Sequence, residues 1–255
     1  MKILVVGDTI VDVDVFAKAV GLSLESPTLK ANFTEKKVRL GGAANVVLHL
    51  SNLGADVYFV SALSAEYEVF LKDKAVSLIN LDNSCENLKE RIWISKGDSK
   101  YKYLQINKSS GGRNDIKYSS KLHAISQISF DKIIVSDYRL GLVTEELLSF
   151  VKKRSELKLA ASQLSSHEPN FNLYNEFDIL VCNEEEAKYV SDHPDVCVTL
   201  GASGSKYRDK YYPTKNVECL SAVGAGDAFL AAFSFYGNAH KANEYVADFL
   251  DQGVL

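Results

Sequence analysis

Between Ser221 and Leu230 the chain reads Ser-Ala-Val-Gly-Ala-Gly-Asp-Ala-Phe-Leu. Gly224 and Gly226 flank Ala225, Asp227 follows, and the run from Ala228 to Tyr236 is almost wholly apolar or small. That pattern predicts a glycine-rich turn opening a buried helix. The first amides of such a helix have no intrahelical acceptors, and with the positive end of the helix dipole they make a site for an anion such as a phosphate. A carboxylate at the mouth of an anion site is electrostatically unfavourable unless its task is to take a proton from a group that attacks the anion. The alternative is a plain helix cap, since Asp is favoured at helix starts and Gly-x-Gly turns are common.

Other residues offer matching chemistry. Gly41-Gly42-Ala43-Ala44-Asn45 is a second glycine turn feeding a helix that Gly54 would stop, and Asn45 carries both a donor and an acceptor. Asp12 and Asp14 share one face of an alternating segment, and Asp14 is expected to be a solvated strand carboxylate. Lys89 and Arg91, two residues apart, could grip a phosphate or carboxylate, or serve only as edge protection on an exposed strand. Asp137, Asn183, Glu186, Gly201 and Gly204 all follow the ends of predicted strands, where open parallel sheets bind ligands.

The elements that must position these groups follow an α/β rhythm. Lys2 to Val6 reads as a buried parallel strand, and Asp12 to Phe16 with part of Leu29 to Leu40 as strands of a flap. The alternating runs Lys89 to Ile94 and Tyr101 to Ile106, joined through Gly97-Asp98, predict a hairpin of the same flap. The tract Lys108 to Asp115 is expected to be a loop and a hinge. Strands are predicted at Asp56 to Val60, Lys132 to Asp137, Asp178 to Cys182 and Asp195 to Leu200, with Thr144 capping a helix. At 255 residues the chain suits one large domain, and a net charge of −4 argues against nucleic acid or an anionic membrane as the main partner. Cys85, Cys182, Cys197 and Cys219 form no Cys-x-x-Cys pair and are expected to be buried thiols of a cytoplasmic protein. The apolar run at the N-terminus is too short for a signal peptide or a membrane span.

Taken together, these blocks resemble the ribokinase/PfkB family of carbohydrate kinases. The resemblance rests on Gly41-Gly42-Ala43-Ala44-Asn45, on Asn183-x-x-Glu186, on Thr199-x-Gly201-x-x-Gly204, on Gly224-Ala225-Gly226-Asp227 and on Ala242-Asn243, in that order. Within the family the chain looks most like the heptose-phosphate kinases, through Gly7-Asp8-x-x-x-Asp12, Ser23-x-Glu25-x-Pro27, Lys89-x-Arg91 and Ser136-Asp137-Tyr138-x-x-Gly141-Leu142. The resemblance implies a ribokinase-like three-layer α/β/α sandwich, a single domain over residues 1–255. Its central sheet would be mostly parallel, and a small β-strand lid would come from about 10–40 and 88–108.

It implies that Asp227 is the general base and that the amides of Gly224, Ala225 and Gly226 stabilise the transferring phosphoryl group. Asp12, Gly41, Gly42, Asn45 and Asp137 would hold the sugar, and Lys89 and Arg91 a phosphate on it. Asn183 and Glu186 would organise Mg²⁺ through water, with Thr199, Gly201, Gly204 and Asn243 around ATP. The implied function is ATP-dependent phosphorylation of a sugar or sugar phosphate, most of all a heptose phosphate for surface-polysaccharide precursors. No nucleic acid or membrane partner is expected, and a homodimer through the lid is.

Two other readings stand beside it: a catalytically weak sugar- or nucleotide-binding regulator, and a nucleoside kinase. The regulator reading draws on departures from the family pattern. Ser221-Ala222-Val223 lacks groups associated with a monovalent-cation site. Leu140, Gln105 and Ala161-Ser162-Gln163 stand where the heptose kinases carry basic residues.

Overall fold

A computed structural model gives the fold and describes residues 1–110, 119–164, 168–217, 219 and 222–252. The expected hinge lies partly outside these residues and Ser221 wholly so. β1 (Lys2–Gly7) runs through Asp8 into β2 (Thr9–Leu22), which returns as β3 (Leu29–Gly42). α1 (Ala43–Asn52), β4 (Asp56–Ser61) and β5 (Val76–Asn80) follow, then a hairpin of β6 (Leu88–Lys96) and β7 (Ser99–Lys108). Next come α2 (Ser119–Ser126), β8 (Lys132–Asp137), α3 (Glu145–Lys152), β9 (Leu157–Ser162), β10 (Ile179–Asn183) and α4 (Glu184–Ala187). β11 (Val196–Thr199), β12 (Ser205–Tyr207) and β13 (Lys210–Tyr212) lead to α5 (Ala225–Tyr236) and α6 (Ala239–Asp251).

Among the described residues the large sheet has the order β13-β12-β11-β10-β9-β8-β1-β4-β5, parallel from β11 to β5 and antiparallel at the β12 and β13 edge. β-branched runs such as Ile3 to Val6 form its middle because both faces are covered. Ile3 and Val5 face a core shared with α1, α5 and α6, whereas Leu4 and Val6 face one built with α2 and α3. One strand thus feeds two cores, which makes the three layers. The chain departs from β1 toward β4 and β5, then returns to lay β8 on the other side, so the order reverses between β1 and β8. Ligands of such sheets bind beyond the carboxyl ends of strands at that reversal.

The small sheet has the order β3-β2-β6-β7, with β2 and β6 parallel. Its strands are longer than the alternating segments suggested. Asp14 departs from expectation: it is 2% exposed rather than solvated. Alternation in β2 marks a strand with both faces covered at its first half, one by the α1 core and the other by an ion-pair network described below. Cys85, Cys182 and Cys197 are buried, but Cys219 is exposed. No helix among the described residues is long and apolar enough to cross a membrane.

Candidate active site

Two helix N-termini converge beyond the carboxyl ends of the central strands. Gly42 caps α1 at φ 64°, and the Ala43 amide donates to the Asp8 carbonyl at 2.9 Å. Gly224 caps α5 at φ 85°, a left-handed conformation that a side chain would strain. Asn45, in the first turn of α1, reaches across to α5 and donates through Nδ2 to Asp227 Oδ2 at 3.0 Å. The Tyr138 hydroxyl, from the loop after β8, donates to Asp227 Oδ1 at 2.5 Å. Burial pushes the Asp227 carboxyl up to about 6, against the opposing pull of the Tyr138 and Asn45 hydrogen bonds and the Lys89 charge. The charge of Asp12 adds to the upward shift.

A cavity of about 140 Å³ opens at this point, lined by Asp12, Gly41, Gly42, Asn45, Lys89, Tyr138, Gly224 and Asp227. Arg39, Arg91 and Phe249 line it too, and of these only Arg91 is expected from the sequence. Cross-strand register explains Arg39: Asp12 pairs with Arg39 on β3 and with Lys89 on β6, so the three stand in one row. The next row on that face holds Lys37, Asp14 and Arg91. Arg91 Nη1 donates to Asp12 Oδ1 at 2.8 Å and lies 4.0 Å from Asp14. Arg39 Nη2 and Trp93 Nε1 each reach Asp14 at 2.6 Å. Arg91 is therefore buried between two carboxylates at the edge of the cavity, while Lys89 is half-buried beside Asp227.

A smaller cavity of about 70 Å³ joins Asp227 and Gly226 to Asn183, Glu186 and Thr199. Asn183 and Glu186 cap α4 reciprocally: the Glu186 amide donates to Asn183 Oδ1 at 2.9 Å and the Asn183 amide to Glu186 Oε2 at 2.8 Å. Burial raises the Glu186 carboxyl, opposed by the amides of Asn183 and Leu164. No group of three or more His, Cys, Asp or Glu among the described residues could hold a bare metal ion. One buried carboxylate beside an amide side chain fits instead a Mg²⁺ that keeps its waters and arrives on phosphate oxygens.

On the far side a cavity of about 500 Å³ is lined by Thr199, Gly201, Gly204, Asn243 and Gly226, with Phe229, Val246, Ala247 and Leu250 as an apolar wall. Gly204 holds φ 100°, and a Cβ there would lie 2.1 Å from the Tyr212 carbonyl oxygen. The Asn243 amide group bonds to the protein: Nδ2 donates to Ser205 Oγ at 3.0 Å and to the Tyr212 carbonyl at 2.7 Å, pinning α6 to β12 and β13.

Two further expectations gain detail. Asp137 borders the smaller cavity with Asp227 and Glu186 rather than the one under the small sheet, and its carboxylate accepts from Tyr174, Asn170, Ser162 and the Arg139 amide. The Ala225 amide donates to the Ala222 carbonyl at 3.1 Å, because a turn precedes the helix. Gly226 and Asp227, second and third in α5, keep amides that helix geometry leaves without intrahelical acceptors. Asp8, which no expectation placed in a role, accepts from the amides of Tyr138, Leu140 and Leu142 and so fixes the loop that carries Tyr138. Burial and the neighbouring Asp137 raise its carboxyl.

No family model matches the chain. The bifunctional protein HldE of Campylobacter jejuni is 25% identical over 269 residues, covering 92% of this chain and 56% of that protein. The chain thus spans about half the length of the curated relatives it matches. Ribokinase from Thermotoga maritima superposes with a TM-score of 0.63 at 18% identity, over 96% of this chain and 89% of that one. The tetrameric inhibited form of phosphofructokinase-2 from Escherichia coli gives 0.65 at 15% identity, over 96% and 90%. In fold the chain is ribokinase-like, and in sequence it is similar to HldE over 92% of its length.

Proposed function

We propose that the chain transfers the γ-phosphoryl group of ATP to a hydroxyl of a sugar or sugar phosphate, with a heptose phosphate as the leading acceptor. The observation that carries this reading is the position of Asp227, a buried carboxylate at the opening of α5 that borders both the cavity under the small sheet and the one leading to Glu186. The acceptor hydroxyl gives its proton to Asp227, its oxygen bonds to the γ-phosphorus, and the bond from that phosphorus to ADP breaks. The amides of Gly226 and Asp227 and the positive end of α5 stabilise charge on the phosphoryl oxygens in flight. Mg²⁺ bound with ATP would neutralise phosphate charge, with Glu186 and Asn183 ordering its waters. The small sheet serves as a lid that keeps water, a competing acceptor, from the phosphoryl group.

The apolar wall of Phe229, Val246, Ala247 and Leu250 supports a donor with a nucleobase. Asp12, Arg39 and Lys89 make the acceptor cavity charged, which supports a sugar with an anionic substituent over a nucleoside. Lys89 takes that substituent, since Arg91 is held by Asp12.

One observation favours a catalytically weak binder: the Ala225 amide is engaged by the Ala222 carbonyl rather than open to an anion. An ATP-consumption assay against free and phosphorylated sugars separates the two. Turnover that Asp227→Asn abolishes supports the kinase. No turnover with any sugar, together with retained ATP binding, supports the binder.

A further inference from the structure

Tyr138 stands at the reversal of strand order, on the loop that the Asp8 carboxylate holds through three amides. Its hydroxyl meets Asp227 Oδ1 while Asn45 meets Oδ2, so each carboxylate oxygen has one fixed donor from a different element. Two donors on opposite oxygens fix the rotation of the carboxyl group, and a carboxylate has about four lone-pair positions, so room for an acceptor hydroxyl remains.

We propose that Tyr138 is a positioning residue for the phosphoryl transfer, holding Asp227 in one orientation and in its ionised, proton-accepting form; this rests on the kinase reading given above. The phenol remains a donor throughout the working range, because burial and the Asp227 charge push its own ionisation well above the ordinary tyrosine value. A short hydrogen bond from a neutral donor stabilises the carboxylate over the acid, which opposes the upward push of burial on Asp227. The remaining groups facing Asp227 divide in sign. Asp12 from β2 favours the acid, Lys89 from β6 favours the carboxylate, and Asn45 from α1 donates to it. The charges of Asp12 and Glu186 raise the Tyr138 phenol further. Tyr138 is the group among these that joins Asp227 to the loop organised by Asp8.

The test is Tyr138→Phe, which keeps the ring and removes the donor. In protein labelled with ¹³C-aspartate, the Asp227 carboxyl signal, assigned with Asp227→Asn, is titrated without substrate. Wild type is expected to titrate at about 6 and the variant at least about one unit higher, a tenfold loss of the ionised form at a given pH below both values. In turnover, the acid limb of kcat shifts by the same amount with KM for the sugar nearly unchanged. An unmoved carboxyl titration overturns the proposal whether or not any sugar is phosphorylated. A lowered KM with an unmoved acid limb also overturns it, since Tyr138 would then be a placeholder that the sugar displaces. Absence of turnover in wild type with a shifted titration would sink the kinase reading and leave the hold on Asp227 standing. Matched thermal midpoints for the two proteins show that the comparison is between folded states.

Discussion

Gly224 makes room for Asn45. A Cβ at position 224 would lie 2.9 Å from Asn45 Nδ2, the atom that donates to Asp227. The glycine is therefore required twice, once for a backbone at φ 85° and once for the amide that steadies the Asp227 carboxylate. Gly224→Ala is expected to cost about 1–2 kcal/mol through the left-handed backbone and to lower kcat by displacing Asn45. Thermal denaturation and steady-state kinetics check the two effects, and an unchanged kcat would mean that Asn45 is not needed on Asp227.

Gly226 should behave in the opposite way. It is the second residue of α5, and a Cβ there would meet no atom within 4 Å. Gly226→Ala is expected to leave stability unchanged or raise it by up to about 1 kcal/mol, since alanine is the better helix former. The added methyl would enter the passage shared by the donor and metal-side cavities, so kcat should fall at least about tenfold, 1.4 kcal/mol of barrier. A more stable variant with full activity would count against phosphoryl transfer past the start of α5.

Asp227→Asn should lose about 10²–10⁴ in kcat, the usual contribution of a general base, while gaining stability. The wild-type carboxyl sits at about 6 against an ordinary 3.8. A raised carboxyl favours the protonated folded state, so its contribution is present below the unfolded value and lost as pH rises from about 4 through about 6. At pH 7 the neutral amide avoids that penalty, worth on the order of 1–3 kcal/mol. Denaturant unfolding at pH 4 and pH 7 measures it, the difference between proteins appearing at the higher pH only. On the kinase reading, the same ionisation is expected to make wild-type kcat/KM rise through about pH 6.

Lys89 and Arg91 separate binding from architecture. Lys89→Ala should leave stability unchanged and raise KM for phosphorylated sugars about tenfold or more, the worth of a charge-assisted hydrogen bond, with KM for free sugars unchanged. Arg91→Ala should destabilise by about 3 kcal/mol, because Asp12 and the buried Asp14 lose their shared partner. Equal kinetic effects from the two substitutions would refute the division.

The outer strand of the small sheet predicts assembly. Every residue of β7 is exposed, including Tyr101, Tyr103, Leu104 and Ile106. An edge strand that leaves two tyrosines, a leucine and an isoleucine uncovered is an unusual surface for a monomer. Light scattering is expected to give a dimer, and Leu104→Glu with Ile106→Glu a monomer; a monomeric wild type ends the idea.

Much of the candidate site was legible because its markers are local. A glycine with positive φ before a helix, as at Gly42 and Gly224, is imposed within a few residues, and so is the reciprocal cap of Asn183 and Glu186. Arg39 and Tyr138 were not legible as site residues. Arg39 arrives through antiparallel register with Asp12, and Tyr138 through a loop pinned by a carboxylate more than a hundred residues earlier. Asp14, expected in solvent, is buried for a related reason, and Arg91 and Asn243, though each lines a cavity, also bond to protein groups that only the fold brings near. Alternation along β2 could not tell a solvated face from one covered by a charge network.

That network also gives the protein an optical property. Trp93 is the one tryptophan of the chain. Its indole N–H is bonded to Asp14, whose other oxygen holds Arg39 at the acceptor cavity. Trp93 emission is therefore expected to report on the occupancy of that cavity through two hydrogen bonds. A sugar that draws on Arg39 should alter the fluorescence of wild type and of Asp227→Asn alike, so acceptors can be ranked by titration before any one of them is known to turn over.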